Sequence, residues 1–144
     1  MLSQSKEQKE LMLKEKAEIG RSTWHLLHGI ARRYPDSPTR QEKQAVRDLL
    51  GSLHIIYPCK PCASAFSLFK NSPILDTTSR SSLIFSMCTF HNFVNIKLNK
   101  PLTDCSVYTA AQMSPLARSS PPGIIKRLHD AALSIIQNIK MSYR

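Results

Sequence analysis

The most reactive pair of side chains in this sequence is Cys59 and Cys62 in "YPCKPC". Two thiols at this spacing can close a structural disulfide, supply half of a metal site, or act as a redox couple that exchanges with incoming dithiols. The residues around them bear on that choice. Pro61 suits the first turn of a helix. A helix starting near Cys59 would aim unpaired amides and the positive end of its dipole at the sulfur. Lys60 adds a positive charge. Such surroundings favour a thiolate, the nucleophile of disulfide exchange, but a CxxC by itself is as often a metal half-site.

A second set of polar residues lies further along. Cys88, His91, Asn92 and Asn95 are spaced i, i+3, i+4, i+7, so they share one face of a helix. Polar side chains on an otherwise apolar helix are expensive unless something pairs with them. The face is either a half-exposed seam or a pocket for a flat polar ligand. Trp24 and His28, at i and i+4, add an aromatic and an imidazole, and Tyr34 follows nearby. A zinc reading competes, because Cys59, Cys62, Cys88 and His91 form a Cys₃His set. It leaves Cys105 without a partner.

These residues need helices to position them. "GRSTWHLLHGIARR" over residues 20–33 has the helical spacing of Trp24, Leu27, His28 and Ala31. "YPDSPT" breaks it. Thr39 and Glu42 make a capping-box pattern for a second helix over 39–56. A third runs from Pro61 to about Lys70, and a fourth over 79–99 stops at "NKP". A short fifth is expected over 103–113. β signals are weak, so the fold class is all-α: a four-helix bundle plus a short fifth helix. Residues 1–18 read as a charged extension, flexible or weakly helical, and 19–113 as the domain. Residues 114–123 are a Ser/Pro linker, followed to residue 144 by a basic amphipathic helix carrying Ile124, Ile125, Leu128, Ala132, Ile135, Ile136 and Ile139 on one face.

Bulk properties exclude several classes. The 144 residues suit one domain with extensions, and 42% apolar content is too high for a disordered chain. The four glycines form neither a GxGxxG nor a P-loop pattern. No apolar run is long enough to span a membrane, and "MLSQSKEQKELMLKEK" has no secretory h-region. A net charge of +10 raises nucleic acid, anionic lipid, an acidic partner or a phosphate-bearing cofactor. Much of that charge falls outside the expected core, which favours a solvated basic surface over a nucleic-acid partner.

Three ordered motifs, "GRSTWHLLHGIA", "YPCKPC" and "CTFHNFVNIKLNKP", together resemble the Erv/ALR family of FAD-linked sulfhydryl oxidases over roughly residues 19–110. The resemblance implies a helical bundle with FAD at its mouth, normally a homodimer. Dithiol electrons would enter at Cys59, pass through Cys62 beside the flavin, and leave to oxygen or another acceptor. Cys88 and Cys105 would be a structural disulfide. Gly20, Arg21, Trp24, His28, Tyr34, Cys88, His91, Asn92, Asn95, Lys97 and Lys100 match FAD-contacting positions, with no metal ligand among them. Where the family commonly has a tryptophan near the adenine, this chain offers Tyr108. It also has no cysteine left for the extra shuttle pair usual in the family. Disulfide chemistry without a secretory signal fits the mitochondrial intermembrane space or an equivalent organelle. The alternative is a non-catalytic, zinc-stabilised adaptor using CxxC and CxxH. A spectrum separates the two: the oxidase is expected to be yellow, and the adaptor to be colourless with bound zinc.

Overall fold

A computed structural model describes residues 2–106, with side chains described from Ser5 onward. Tyr108, the Ser/Pro-rich stretch, the expected basic amphipathic helix and nearly all of the expected fifth helix lie outside the described residues. Within them the regular structure is four helices: α1 (Leu2–Arg33), α2 (Arg40–Ile56), α3 (Lys60–Lys70) and α4 (Arg80–Lys97). The chain is all-α, as expected.

The helix ends follow local chemistry. Thr39 opens α2 with a capping box, its Oγ1 accepting from the Glu42 amide while Glu42 Oε2 accepts from the Thr39 amide. Ser79 caps α4 by accepting from the Ser82 amide. The far end of α4 stops two residues earlier than expected. Asn99 adopts a left-handed φ of 53°, Lys100 N–H donates to the Asn95 carbonyl, and Asn99 N–H donates to Ile96. That is a Schellman ending with asparagine in the left-handed position, and Pro101 follows it.

The start of α1 differs most from expectation. Residues 2–18, expected to be flexible or weakly helical, form regular helix that continues into the rest of α1 without a break. They are rich in Glu, Lys, Gln, Leu and Met, all strong helix formers, and contain no proline. Glu10 and Lys14 stand in the favourable i, i+4 order. Gly20 alone costs about 1 kcal/mol against alanine, too little to stop such a run.

α1 packs chiefly on α4, and α2 on α3. The core forms where the pairs meet, around Leu27, Leu50, Phe66, Leu83, Met87 and Phe90. Phe90 is its centre: Phe69 stacks on it with centroids 4.2 Å apart, and Phe66 and Trp24 meet it edge-on. Arg80, at the start of α4, donates to the Tyr34 carbonyl and pairs with Asp36, tying the end of α1 to α4.

After α4 the chain turns back and is fastened twice. Cys88 and Cys105 form a disulfide with Cα atoms 5.7 Å apart. One turn on, Asn92 Nδ2 donates to the Thr103 carbonyl at 2.7 Å, and the Thr103 amide donates to Asn92 Oδ1 at 3.0 Å. Replacing both Cys88 and Cys105 by serine should cost ~3 kcal/mol by loop closure. Asn92→Ala should cost roughly 1–3 kcal/mol, because it removes two hydrogen bonds to Thr103 made by a buried side chain. Both fasteners hold one segment, so the triple variant should lose less than the sum. Urea unfolding of the four proteins measures all three terms.

Candidate functional site

Two neighbouring features of the bundle carry chemistry. The first lies along the α1–α4 seam. Leu27 and Ala31 bury the inner stripe of α1, which leaves Trp24 and His28 half-buried at its edge. α4 runs antiparallel and brings His91 against both. The Trp24 and His91 rings stack, with centroids 4.0 Å apart and planes within 8°. His28 Nε2 and His91 Nδ1 are 3.0 Å apart, so one ring donates its N–H to the bare nitrogen of the other.

That hydrogen bond requires the accepting ring to be neutral, and the surroundings favour the neutral form of both. The pKa of His91 is lowered to about 4, first by burial, then by neighbouring His28 and Lys100. His28 is lowered by burial and then by Arg32. The seam therefore presents flat, uncharged rings at neutral pH. Exposed cations lie nearby along the chain: Arg21 one turn before Trp24, Lys100, whose charge acts on His91, and Lys97, whose Nζ lies 4.7 Å from the Phe93 centroid. A side chain added at Gly20 would meet nothing within 4 Å, so the helix backbone is open to close approach one turn before Trp24. Flat neutral rings with exposed cations nearby suit a planar heteroaromatic group carrying phosphates.

The second feature is the CxxC. Cys59 and Cys62 form a disulfide with Cα atoms 5.2 Å apart. Cys59 is the N-cap of α3, Pro61 sits in its first turn, and no side chain caps the helix. The first-turn amides are therefore unsatisfied by any cap, and the helix dipole points at the sulfurs. Both cysteines pack partly against the core. Only Cys59 of the pair lines a groove of about 420 Å³ between α1 and the Tyr57–Cys59 segment.

A contact that the sequence reading did not single out joins these features. Tyr57 Oη lies 2.9 Å from Thr23 Oγ1. Thr23 already donates its one proton to the Ile19 carbonyl, so Tyr57 is the donor. Tyr57 thus fixes the approach to the CxxC against α1, next to Trp24. The available signal was its place directly before "PC", since a buried tyrosine needs a polar partner. On the other side, His54 Nδ1 donates to the Ala63 carbonyl and ties the end of α2 to α3.

Other expected residues are placed differently. Asn92 is buried, and its amide is engaged by Thr103, so its polarity is satisfied within the chain. Tyr34 is buried at the other end of α1, with its hydroxyl donating to the Thr77 carbonyl. Both are thus used to hold elements together. Cys88 is buried beneath the same face, and Asn95 stays half-buried near Lys97 and Lys100. The Cys₃His alternative loses its thiolates to two separate disulfides, and Cys105 gains the partner that alternative denied it.

The model of the Erv1 / Alr family matches residues 21–114. The FAD-linked sulfhydryl oxidase ERV1 of Oryza sativa subsp. japonica is 42% identical over 91 residues, covering 62% of this chain and 46% of that protein. The mitochondrial FAD-linked sulfhydryl oxidase ERV1 of Saccharomyces cerevisiae is 41% identical over 91 residues, covering 63% and 48%. This chain thus spans about half the length of these curated relatives. Among solved structures, the FAD binding domain of Erv1 from Saccharomyces cerevisiae is similar with a TM-score of 0.59 and 38% identity, covering 66% of this chain and 90% of that one. The yeast Erv1 core gives 0.57 and 41%, covering 65% and 79%.

The imidazole pair makes stability depend on pH. His91 is held below its unfolded value of 6.5, so between about 4 and 6.5 the unfolded chain binds more protons than the folded one. Its contribution is fully present above pH 6.5 and is lost as pH falls toward 4. His91→Phe keeps an aromatic ring for Trp24 but cannot titrate. Its melting temperature should fall less than the wild type's between pH 7 and pH 4.5, as followed by circular dichroism.

Proposed function

The chain belongs to the Erv1/Alr family, and on that premise we propose that it is an FAD-dependent thiol oxidase. The carrying observation is the Cys59–Cys62 disulfide at an uncapped helix N-terminus, with Cys59 on an open groove. The names of the relatives, FAD-linked sulfhydryl oxidases, support the same activity.

The chemistry of this chain's residues is disulfide exchange. A thiolate of the partner attacks Cys59 Sγ; the Cys59–Cys62 bond breaks, and Cys62 leaves as a thiolate. The partner's second thiolate then attacks its own sulfur in the mixed disulfide, and Cys59 is released. Two partner thiols lose two electrons and two protons, and the CxxC gains the electron pair. The amides and dipole at the start of α3 stabilise each released thiolate, and Lys60 adds to that field. When bound, FAD would accept this electron pair and deliver it to oxygen, giving hydrogen peroxide.

The residues present fit that cofactor. Trp24, His28 and His91 offer neutral ring surfaces, Gly20 leaves room beside the backbone, and Arg21, Lys97 and Lys100 suit its phosphates. Asn92 and Cys88 keep the segment after α4 against that face. We assign residues 19–113 to the oxidase domain. A homodimer is consistent with apolar side chains left in water on α1 and α2, where Leu26 is 56%, Ile55 71% and Ile56 74% exposed. No described helix is long and apolar enough to cross a membrane. The mitochondrial names of relatives support a place in the intermembrane space or an equivalent organelle.

The purified protein should be yellow, release flavin on heat denaturation, and consume oxygen with dithiothreitol. Cys59→Ser and Cys62→Ser should each retain the flavin and lose dithiol turnover to background. A colourless protein, or serine variants as active as wild type, would overturn this function.

A further inference from the structure

The first half of α1 adds little to the core, yet its apolar side chains are ordered in space. Lys9, Met12, Leu13, Lys16 and Ile19 are spaced i, i+3, i+4, i+7, i+10, so they share one face. That face overhangs Tyr57, Pro58 and Cys59 and forms one wall of the groove. Ile19 packs on the core, but Met12 is 69% and Leu13 59% exposed. Two large apolar side chains thus stand in water beside the sulfur that meets substrate.

We propose that this groove docks the dithiol-bearing segment of a partner protein whose apolar residues are flanked by acidic ones. The proposal rests on the oxidase reading, since it takes Cys59 as the entry point for electrons. At about 420 Å³ the groove is the size of a small-molecule site and can receive a few side chains of a peptide. Its apolar patch would take the partner's apolar residues. Its charge selects what flanks them: Lys9 and Lys16 bracket Met12 and Leu13, and exposed Lys60 follows Cys59, against one acid, Glu15, on the lining. Complementarity therefore favours an acidic occupant. It disfavours a second copy of this chain, whose net charge is +10, and the chain's own basic segment around Lys126 and Arg127. The dithiol must also come from elsewhere, because the four cysteines of this sequence are all held in the two disulfides.

Fluorescence anisotropy of the full-length protein tests this without turnover. Two labelled peptides share an apolar centre with both cysteines replaced by serine; one carries glutamate flanks and the other lysine flanks. The glutamate peptide should bind more tightly, with the preference shrinking as salt rises. The Lys9→Glu, Lys16→Glu double variant should weaken its binding by roughly fivefold, the scale of two exposed ion pairs. Met12→Ser with Leu13→Ser should weaken both peptides. Dithiothreitol turnover should be unchanged in all variants, because a small dithiol reaches Cys59 without the overhang. Equal binding of the two peptides, or unaltered binding by the charge-reversed variant, would overturn the proposal. A wild-type protein that fails to oxidise dithiothreitol would instead overturn the oxidase reading, which the binding measurement does not use.

Discussion

Trp24 sits where the packed interior becomes the chemical surface. It meets Phe90 edge-on, with centroids 5.1 Å apart, and stacks flat on His91, the next residue of α4. Phe90 in turn receives Phe66 and Phe69 from α3. One aromatic cluster therefore sets the spacing of α1, α3 and α4 together. Aromatic pairs of this kind contribute about 0.5–1.5 kcal/mol beyond their buried area. Their geometric consequence matters more here. The ring that completes the core on one side orients the imidazole pair on the other, so the site inherits the rigidity of the interior.

The CxxC is positioned by a different means. It lies at the start of α3, in a connection between two helices, where backbone would otherwise have freedom. Tyr57 removes that freedom on the α1 side through Thr23, and its ring packs on Phe66 of α3. His54 removes it on the α2 side through the Ala63 carbonyl. The sulfurs are thus held by polar ties at a helix start that has no cap of its own. An uncapped N-terminus leaves donors and a positive field directed at the cysteines, which a serine or aspartate cap would have partly satisfied. Local stability is lower there than a capped start would give, and a field that favours a thiolate is the corresponding gain.

The polar face of α4 shows how one pattern serves two purposes. Its spacing called for partners to Cys88, His91, Asn92 and Asn95, and the structure supplies them from opposite directions. His91 finds an imidazole and an indole on α1, whereas Asn92 finds the backbone of Thr103 after the helix has ended. Residues one position apart diverge by about 100° around a helix, so they reach different neighbours. One faces the α1 rings, and the other fastens the segment that follows α4.

The sequence by itself made four helices legible, though not every boundary, because their signals are local: the Thr39–Glu42 box, Ser79 as a cap, prolines at the breaks and apolar residues at helical spacing. It also marked out the CxxC and the α4 face, since spacing alone places residues on one side of a helix. The pairing of Cys88 with Cys105 came from resemblance to a family, because sequence spacing cannot tell which thiols meet. Tertiary structure decided what depends on neighbours from elsewhere in the chain. It engaged Asn92 and Tyr34 in internal hydrogen bonds, brought His28 against His91, made Tyr57 a tie to α1, and set Cys59 rather than Cys62 on the groove. It also showed residues 2–18 as one helix with the rest of α1, beside Cys59. Capping and periodicity act over a few residues and can be read in order, whereas a hydrogen-bond partner or an exposed sulfur is fixed only when distant segments share a space.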